Sequence, residues 1–564
     1  MRRLVKCTSV IMVVSATVSC SGGNGGGDDP SFDFSVVPTS LVGSQYEGDA
    51  SRFIITSAIQ DRNGVLGDPY FRITNQSGAI ALEVSTLPSD DGEHRAAIRI
   101  PSALVVGRYQ GDLHIDACND VTCRQVYRSR TLPYDITVLS GENLTPLSSL
   151  TGASDWTSRG GNAGHSGYVP VSLDSSKFSV RWTRPLPPAL DQIPLTDPVT
   201  AKGHVIFSRA PLGSGSSPPS ISGVYALKES DGALAWSISE FSGSPLTFSA
   251  PATDGNTVWV LRPGLTTHGS YDGASSSLDW ISADNGWLYA QILYPNYLLP
   301  STSTVVSDNG QILAMGMELR ELMDGSTAPV ASVMSYDALS TAKQWASNML
   351  SLDVTSDVAS VFAYPGGSSA ALGLQVVSRA SGVETRVIDD PQFDGPGADP
   401  SPLVVAQGHV VFSYGGLLKN FSPEGMIRWQ IPTDFDAVQL PSVAIANGAV
   451  YFVQSGRRLS VLSADSGAEL WSWTPDDSDH TFHPDTAGME GTPVSAPIVT
   501  NTHVFVSTFH GVHAVSLATR LSEWFYPHPA RMAISANGVL YLMRAPLDGP
   551  MYASDGHITA INLH

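Results

Sequence analysis

Short apolar runs alternate with turn residues over most of this chain, and residues 440–475, LPSVAIANGAVYFVQSGRRLSVLSADSGAELWSWTP, show the unit in full. Val443 and Ile445 open it, and Asn447-Gly448 turns it. A β-rich run from Val450 to Val453 ends at Ser455-Gly456, and Leu459 to Leu462 alternate apolar and polar residues. After Asp465-Ser466-Gly467 a fourth run carries Leu470, Trp471 and Trp473. Four period-two runs split by Gly, Asn and Asp turns predict one antiparallel meander. A lone meander cannot bury both of its faces, so copies of it must stack.

The copies are present. The ending "turn, three residues, Trp" recurs at Asp231-Gly232…Trp236, Glu424-Gly425…Trp429 and Ser466-Gly467…Trp471, with degenerate forms at Trp345 and Trp524. Ser381-Gly382…Arg386 keeps the turn without the Trp, and around Asn285-Gly286 the aromatics shift to Trp287 and Tyr289. Repeat starts fall near Pro198, Pro251, Thr304, Ala359, Pro402, Ser442, Pro497 and Ala533. The Trp-type endings lie about 41 to 56 residues apart, which suits four-stranded blades. The last unit runs out after three strands, whereas Phe178 to Trp182 is a strand with no partner nearby. That strand is expected to complete the last blade and close an eight-membered ring, which removes exposed sheet edges. The recurring Trp residues are expected to fill the wedge between neighbouring sheets, each N–H satisfied locally, rather than to bind a ligand.

Upstream the pattern differs. Strand candidates at Arg52–Ile59, Ala79–Val84, Arg95–Ile100, Tyr109–Ile115 and Tyr134–Val138 predict a separate β-sandwich over residues 31–139. The run Gly107-Arg108-Tyr109-Gln110-Gly111, followed by alternating Leu113 and Ile115, is similar to the late strands of bacterial immunoglobulin-like domains. Residues 140–154 are polar and turn-rich and read as a linker, and 155–564 as the propeller. The fold class expected is all-β, an eight-bladed β-propeller preceded by an immunoglobulin-like sandwich. Asp155-Trp156, RGGNAGHSGYVP and Phe178-Ser179-Val180-Arg181-Trp182 resemble the lead-in to the first repeat of pyrroloquinoline-quinone-like (quinoprotein repeat) β-propellers.

Residues 1–20 have a basic start (Arg2, Arg3, Lys6), an apolar stretch too short to span a bilayer, and end at Cys20. Residues 21–30, SGGNGGGDDP, then read as a flexible tether. The arrangement resembles a bacterial lipoprotein signal, which implies lipidation of Cys20 and an anchor in the outer membrane facing the periplasm or the cell surface. Cleavage near Ala16 is the alternative. Cys118 and Cys123 flank an Asn-Asp turn and predict a disulfide across a hairpin in an oxidising compartment.

The formal net charge of −21 argues against nucleic acid as a partner, because phosphate binding needs a basic face. Catalytic chemistry is thin. Quinone-dependent members of the resembled family carry a vicinal Cys pair and Glu, Asn and Asp ligands for calcium, whereas this chain has no Cys after Cys123 and no C-x-x-C-H haem motif. No cofactor, metal ligand or catalytic residue is therefore assigned. The His480 and His483 loop, with Asp476, Asp477, Asp479 and Asp485, is read as a solvated loop rather than a metal site. The acidic loop with Asp389, Asp390, Asp394 and Asp399 lacks an EF-hand spacing, and His510 and His513, three apart near a strand end, would face opposite sides of a regular strand, so neither is assigned as a metal site. The expected function is a non-catalytic exported lipoprotein whose propeller binds or scaffolds envelope or surface proteins. The alternatives are a surface adhesin or glycan-binding module and, third, a quinone-dependent periplasmic oxidoreductase.

Overall fold

The computed structural model describes residues 31–564 apart from 38, 47–50, 64–68, 76–82, 88–92, 101–103, 140–141, 186–195, 210–219, 243–247, 263–275, 295–304, 322–326, 348–353, 364–372, 390–402, 415, 434–441, 455–457, 476–494, 509–510, 527–528 and 545–556. These residues form two compact units, one up to residue 139 and one from Glu142 onward.

The first unit holds β1 (Ser31–Val37), β2 (Leu41–Tyr46), β3 (Ser51–Asn63), β4 (Tyr70–Asn75), β5 (Glu83–Leu87), β6 (Glu93–Ile100), β7 (Gly107–Cys118) and β8 (Val126–Leu139). They make two four-stranded sheets, in the orders β1-β3-β6-β5 and β2-β8-β7-β4. Alternation along β7 and β8 turns Leu113, Ile115, Leu132, Tyr134 and Ile136 inward, where they meet Phe32, Phe34, Ile55 and Ile98 of the other sheet in one core. All ladders are antiparallel except β2 with β8, which is parallel. At the start of β7 the Tyr109 hydroxyl donates to the Val105 carbonyl at 2.8 Å. Sequence reading finds β3, β6, β7 and β8 but misses β1, β2 and β4. It also places the fifth strand at Ala79–Val84, whereas β5 is Glu83–Leu87 and residues 79–82 lie outside those described. A disulfide joins Cys118 to Cys123 across the β7–β8 turn, with α-carbons 5.0 Å apart.

The second unit is a propeller of eight four-stranded antiparallel sheets among the described residues. Their inner strands are Val199–Ala201, Ala252–Thr253, Val305–Asp308, Val354–Ser356, Val404–Ala406, Ser442–Ala446, Ile498–Val499 and Arg531–Ile534. Those of blades 1 to 7 neighbour one another in chain order, and that of blade 8 lies against blade 1. The ring is closed. β9 (Ser179–Pro185) supplies the fourth strand of blade 8, pairing antiparallel with His557–Asn562. Blade 4 starts earlier than the sequence suggests. Its inner strand is Val354–Ser356, and Ala359 belongs to the turn that follows.

In blades 1 to 7 the turn between the third and fourth strands always spans five residues: 229–233, 283–287, 338–342, 379–383, 422–426, 464–468 and 517–521. The fourth residue of each is left-handed: Gly232, Gly286, Thr341, Gly382, Gly425, Gly467 and Arg520. The turn serves the preceding blade. Trp182, Trp236, Trp345 and Trp429 lie on Gly232, Gly286, Gly382 and Gly467, where an added β-carbon would come within 2.5–2.9 Å of the indole. Their N–H groups donate to backbone carbonyls of the same neighbouring turns, those of Glu229, Ala283, Arg379 and Ala464, at 2.7–3.0 Å. The bond is therefore made between blades and not within one. Blade 2 departs from the rule: Ala290 pairs opposite Trp280, and Trp280 on the third strand donates to Ala338 instead. Trp287 and Tyr289, the shifted aromatics of this repeat, are 73% and 61% exposed. In blade 7, Arg520 replaces the glycine and its guanidinium stands 5.8 Å from the Trp471 ring centre.

Candidate functional site

The inner strands of the propeller carry a polar site that the chain makes from the segment before the first blade. Glycine spacing in RGGNAGHSG lets that segment approach backbone closely. A β-carbon on Gly164 would sit 2.1 Å from the Val405 carbonyl oxygen, and one on Gly167 would sit 2.6 Å from that of Pro497. The segment then makes one circuit of the ring. Leu150 N–H donates to Ala536 of blade 8. Inner-strand N–H groups of Thr200, Thr253, Ser356, Val405, Ile445 and Val499 donate in turn to the carbonyls of Trp156, Thr157, Ala163, Gly164, Ser166 and Gly167, at 2.7–3.0 Å. These are blades 1, 2, 4, 5, 6 and 7; Ala163 packs into the apolar cluster that includes Val306 and Leu313 of blade 3. The residues read as part of the linker, Asn143 and Leu150, are hydrogen-bonded to the propeller as well.

Two polar clusters join the first and last blades. In one, Asp197 before blade 1 is held by Arg531 of blade 8 at 2.7 Å and by Arg159 of the axial segment at 3.2 Å. Burial pushes the Asp197 carboxyl up, but the two guanidiniums and nearby His165 outweigh it and hold the group below its ordinary range. A carboxylate so paired is a poor proton acceptor. His165 is buried with Nδ1 3.1 Å from the Leu403 carbonyl. In the other cluster Glu229 is 1% exposed, accepting from Ser535 Oγ and from Asn537 Nδ2 at 3.1 Å. Burial above all, with the charge of Asp155, raises its carboxyl, and burial raises that of Asp155.

No group of three His, Cys, Asp or Glu residues is arranged for a metal among the described residues, and the axial Asp197 is flanked by two cations. The described cysteines, Cys118 and Cys123, lie in the first unit. His513 is buried on a strand beginning at Gly511, between the rings of Trp473 and Phe525, with Nδ1 3.0 Å from Ser522 Oγ. Cys20, His480, His483, His510, Asp390, Asp394 and Asp399 lie outside the described residues. Arg159, His165, Asp197, Glu229 and Arg531 were missed by sequence reading. The one signal for them is the glycine-rich lead-in, since Asp197-Pro198 reads only as a repeat start.

Ring closure and repeat together define an eight-bladed β-propeller of four-stranded antiparallel blades. Residues 329–563 match the family model described as outer membrane protein assembly factor BamB. No curated protein matches the chain. Among solved structures it is similar to BamB from Moraxella catarrhalis, at 13% identity over 68% of this chain and 99% of that one, with a TM-score of 0.41. It is also similar to the quinohemoprotein alcohol dehydrogenase from Comamonas testosteroni, at 10% identity over 72% and 80%, with a TM-score of 0.48. A europium-containing methanol dehydrogenase is similar at 10% identity over 73% and 98%, with a TM-score of 0.46.

Proposed function

We propose that this is a non-catalytic envelope lipoprotein whose propeller serves as a protein-binding scaffold. One observation carries the reading: the inner rim, where a small molecule on the axis would find backbone donors, is taken up by the protein's own lead-in segment. The match of residues 329–563 to an outer-membrane assembly factor family supports a role in the cell envelope. No helix among the described residues is long and apolar enough to cross a membrane, and lipidation at Cys20 supplies an anchor. The sandwich acts as an immunoglobulin-like spacer; its sheet orders, the parallel β2–β8 pair and the Tyr109–Val105 hydrogen bond support that assignment.

Affinity capture from envelope extracts, followed by reconstitution with the purified partner, tests the scaffold. Saturable binding that is lost when the propeller is removed is the expected result. Turnover of alcohols or sugars by the purified protein with pyrroloquinoline quinone and calcium would overturn the non-catalytic reading. Cys20→Ala should release the protein from membranes; an unmodified mature N-terminus, found by mass spectrometry, would remove the anchor.

A further inference from the structure

Each blade ends in an outer strand whose far side pairs with nothing in its own sheet, and such an edge invites another strand unless charge or shape blunts it. Among the described residues, seven of the eight outer strands carry charged residues: Glu240, Lys343, Arg386, Arg428, Glu469 and Glu523 in blades 1 and 3 to 7, and Arg184 in blade 8. The outer strand of blade 2, Leu288–Tyr294 (LYAQILY), carries none. It is last in its sheet, and Ala290, Ile292 and Tyr294 on one face pack into the core shared with blade 3. The other face is open. Tyr289, Gln291 and Leu293 are exposed along it, and Trp287 and Leu288 are exposed at its start. Val383, Met426 and Leu521 show that an exposed apolar residue in the preceding turn is common to several blades, so the turn alone marks nothing. The uncharged strand does. The Gln291 amide donates to Ser277 Oγ at 3.1 Å and to Asp279 Oδ1 at 2.9 Å, which fixes the middle of the open stripe.

We propose that this edge pairs with the same edge of a second copy of the chain, antiparallel about a two-fold axis at Gln291. The sequence is complementary to itself in that register. Tyr289 of one copy stands opposite Leu293 of the other, Ala290 opposite Ile292, Leu288 opposite Tyr294, and Gln291 meets its own counterpart. Opposite residues share a face, so on the open side two aromatic–aliphatic pairs flank an amide pair, an arrangement that stabilises an antiparallel ladder. Two-fold symmetry would bring any charge on the strand into the seam twice, and two chains of net charge −21 already repel each other. An edge without charge is what self-pairing needs, whereas a charged partner strand would be better captured by a charge. The ladder is short, so the contact lies near the low end of specific interfaces, about 1,200 Å² in total, and monomer and dimer should exchange.

Sedimentation and cysteine cross-linking of the full chain test the pairing. The mean mass of the wild type should rise toward twice that of the monomer as concentration increases. Leu293→Lys replaces both aromatic–aliphatic pairs and should weaken the dimer about tenfold or more. Under mild oxidation Gln291→Cys should link to its own counterpart, with the wild type, which keeps the other cysteines, as the blank. Tyr289→Cys and Leu293→Cys should link when mixed and not when each is alone, a pattern that only this register produces. The mixed pair leaves the Gln291 hydrogen bonds intact, so it decides the register should Gln291→Cys fail to fold. Lys343→Cys, on the outer strand of blade 3, measures random collision. Monomer mass at every concentration overturns the proposal, whether the edge stays bare or takes up a different extended peptide. So does a dimer in which neither Gln291→Cys nor the mixed pair links better than Lys343→Cys.

Discussion

The indole of Trp345 rests on the α-carbon of Gly382, so closely that a β-carbon there would lie 2.5 Å from the ring. Gly382 also has φ +67, which costs any other residue about 1–2 kcal/mol. Gly382→Ala should therefore combine backbone strain with overpacking and cost about 3 kcal/mol. Gly203→Ala is the control: φ is +70, nothing stands within 4 Å, and about 1 kcal/mol is expected. Denaturant titration of both variants separates the two terms, and equal losses would show that the indole contact is not what selects glycine at 382.

The lead-in segment should be as necessary as a blade. A chain beginning at Glu142 should fold, whereas one beginning at Ser175 loses the six hydrogen bonds to the inner strands. At about 1 kcal/mol net each, that loss is comparable to a typical stability of about 5–15 kcal/mol. Thermal melts of the two truncations check it; equal midpoints would mean that the circuit contributes nothing. Gly164→Ala, which drives a β-carbon into the Val405 carbonyl, should lower the midpoint in the same direction.

Asp197 predicts acid lability. Its depressed carboxyl contributes stability that is present above its ordinary range and lost as pH falls through the folded value. Asp197→Asn should destabilise the propeller at neutral pH and reduce its further loss in acid. A variant whose melting temperature follows the wild-type pH curve in parallel would contradict this.

Reduction of Cys118–Cys123 should affect the sandwich alone. The loop is short, so the loss is on the order of 2 kcal/mol. Calorimetry with and without reductant should shift one transition and leave that of the propeller in place.

Most of the propeller was legible because its repeat writes the same physics many times. Period-two runs and turn glycines place seven of the inner strands near their sequence-read starts, and the ragged ends foretell that β9 closes blade 8. The start of blade 4 was misplaced, Ala359 lying in the turn after Val354–Ser356, and in blade 2 the wedge is filled by Trp280, one strand earlier than the exposed Trp287 and Tyr289. In the sandwich, β2 (LVGSQY) shows no sustained apolar alternation, whereas β1 alternates at Phe32, Phe34 and Val36 and was overlooked. The axial site was hidden for another reason. Arg159, Asp197 and Arg531 are far apart in sequence, and only ring closure brings them together.

The circuit of carbonyls around the inner rim also acts as a tally. Each blade must present its donor or its apolar face at the next step of one short peptide, in order. An extra blade would find no step, and a missing one would leave a carbonyl unmatched in the interior. Propellers grow and shrink by duplicating repeats, and here that route is closed unless the lead-in segment changes with them. The number of blades is thus recorded twice, once in the repeats and once in the residues that precede them.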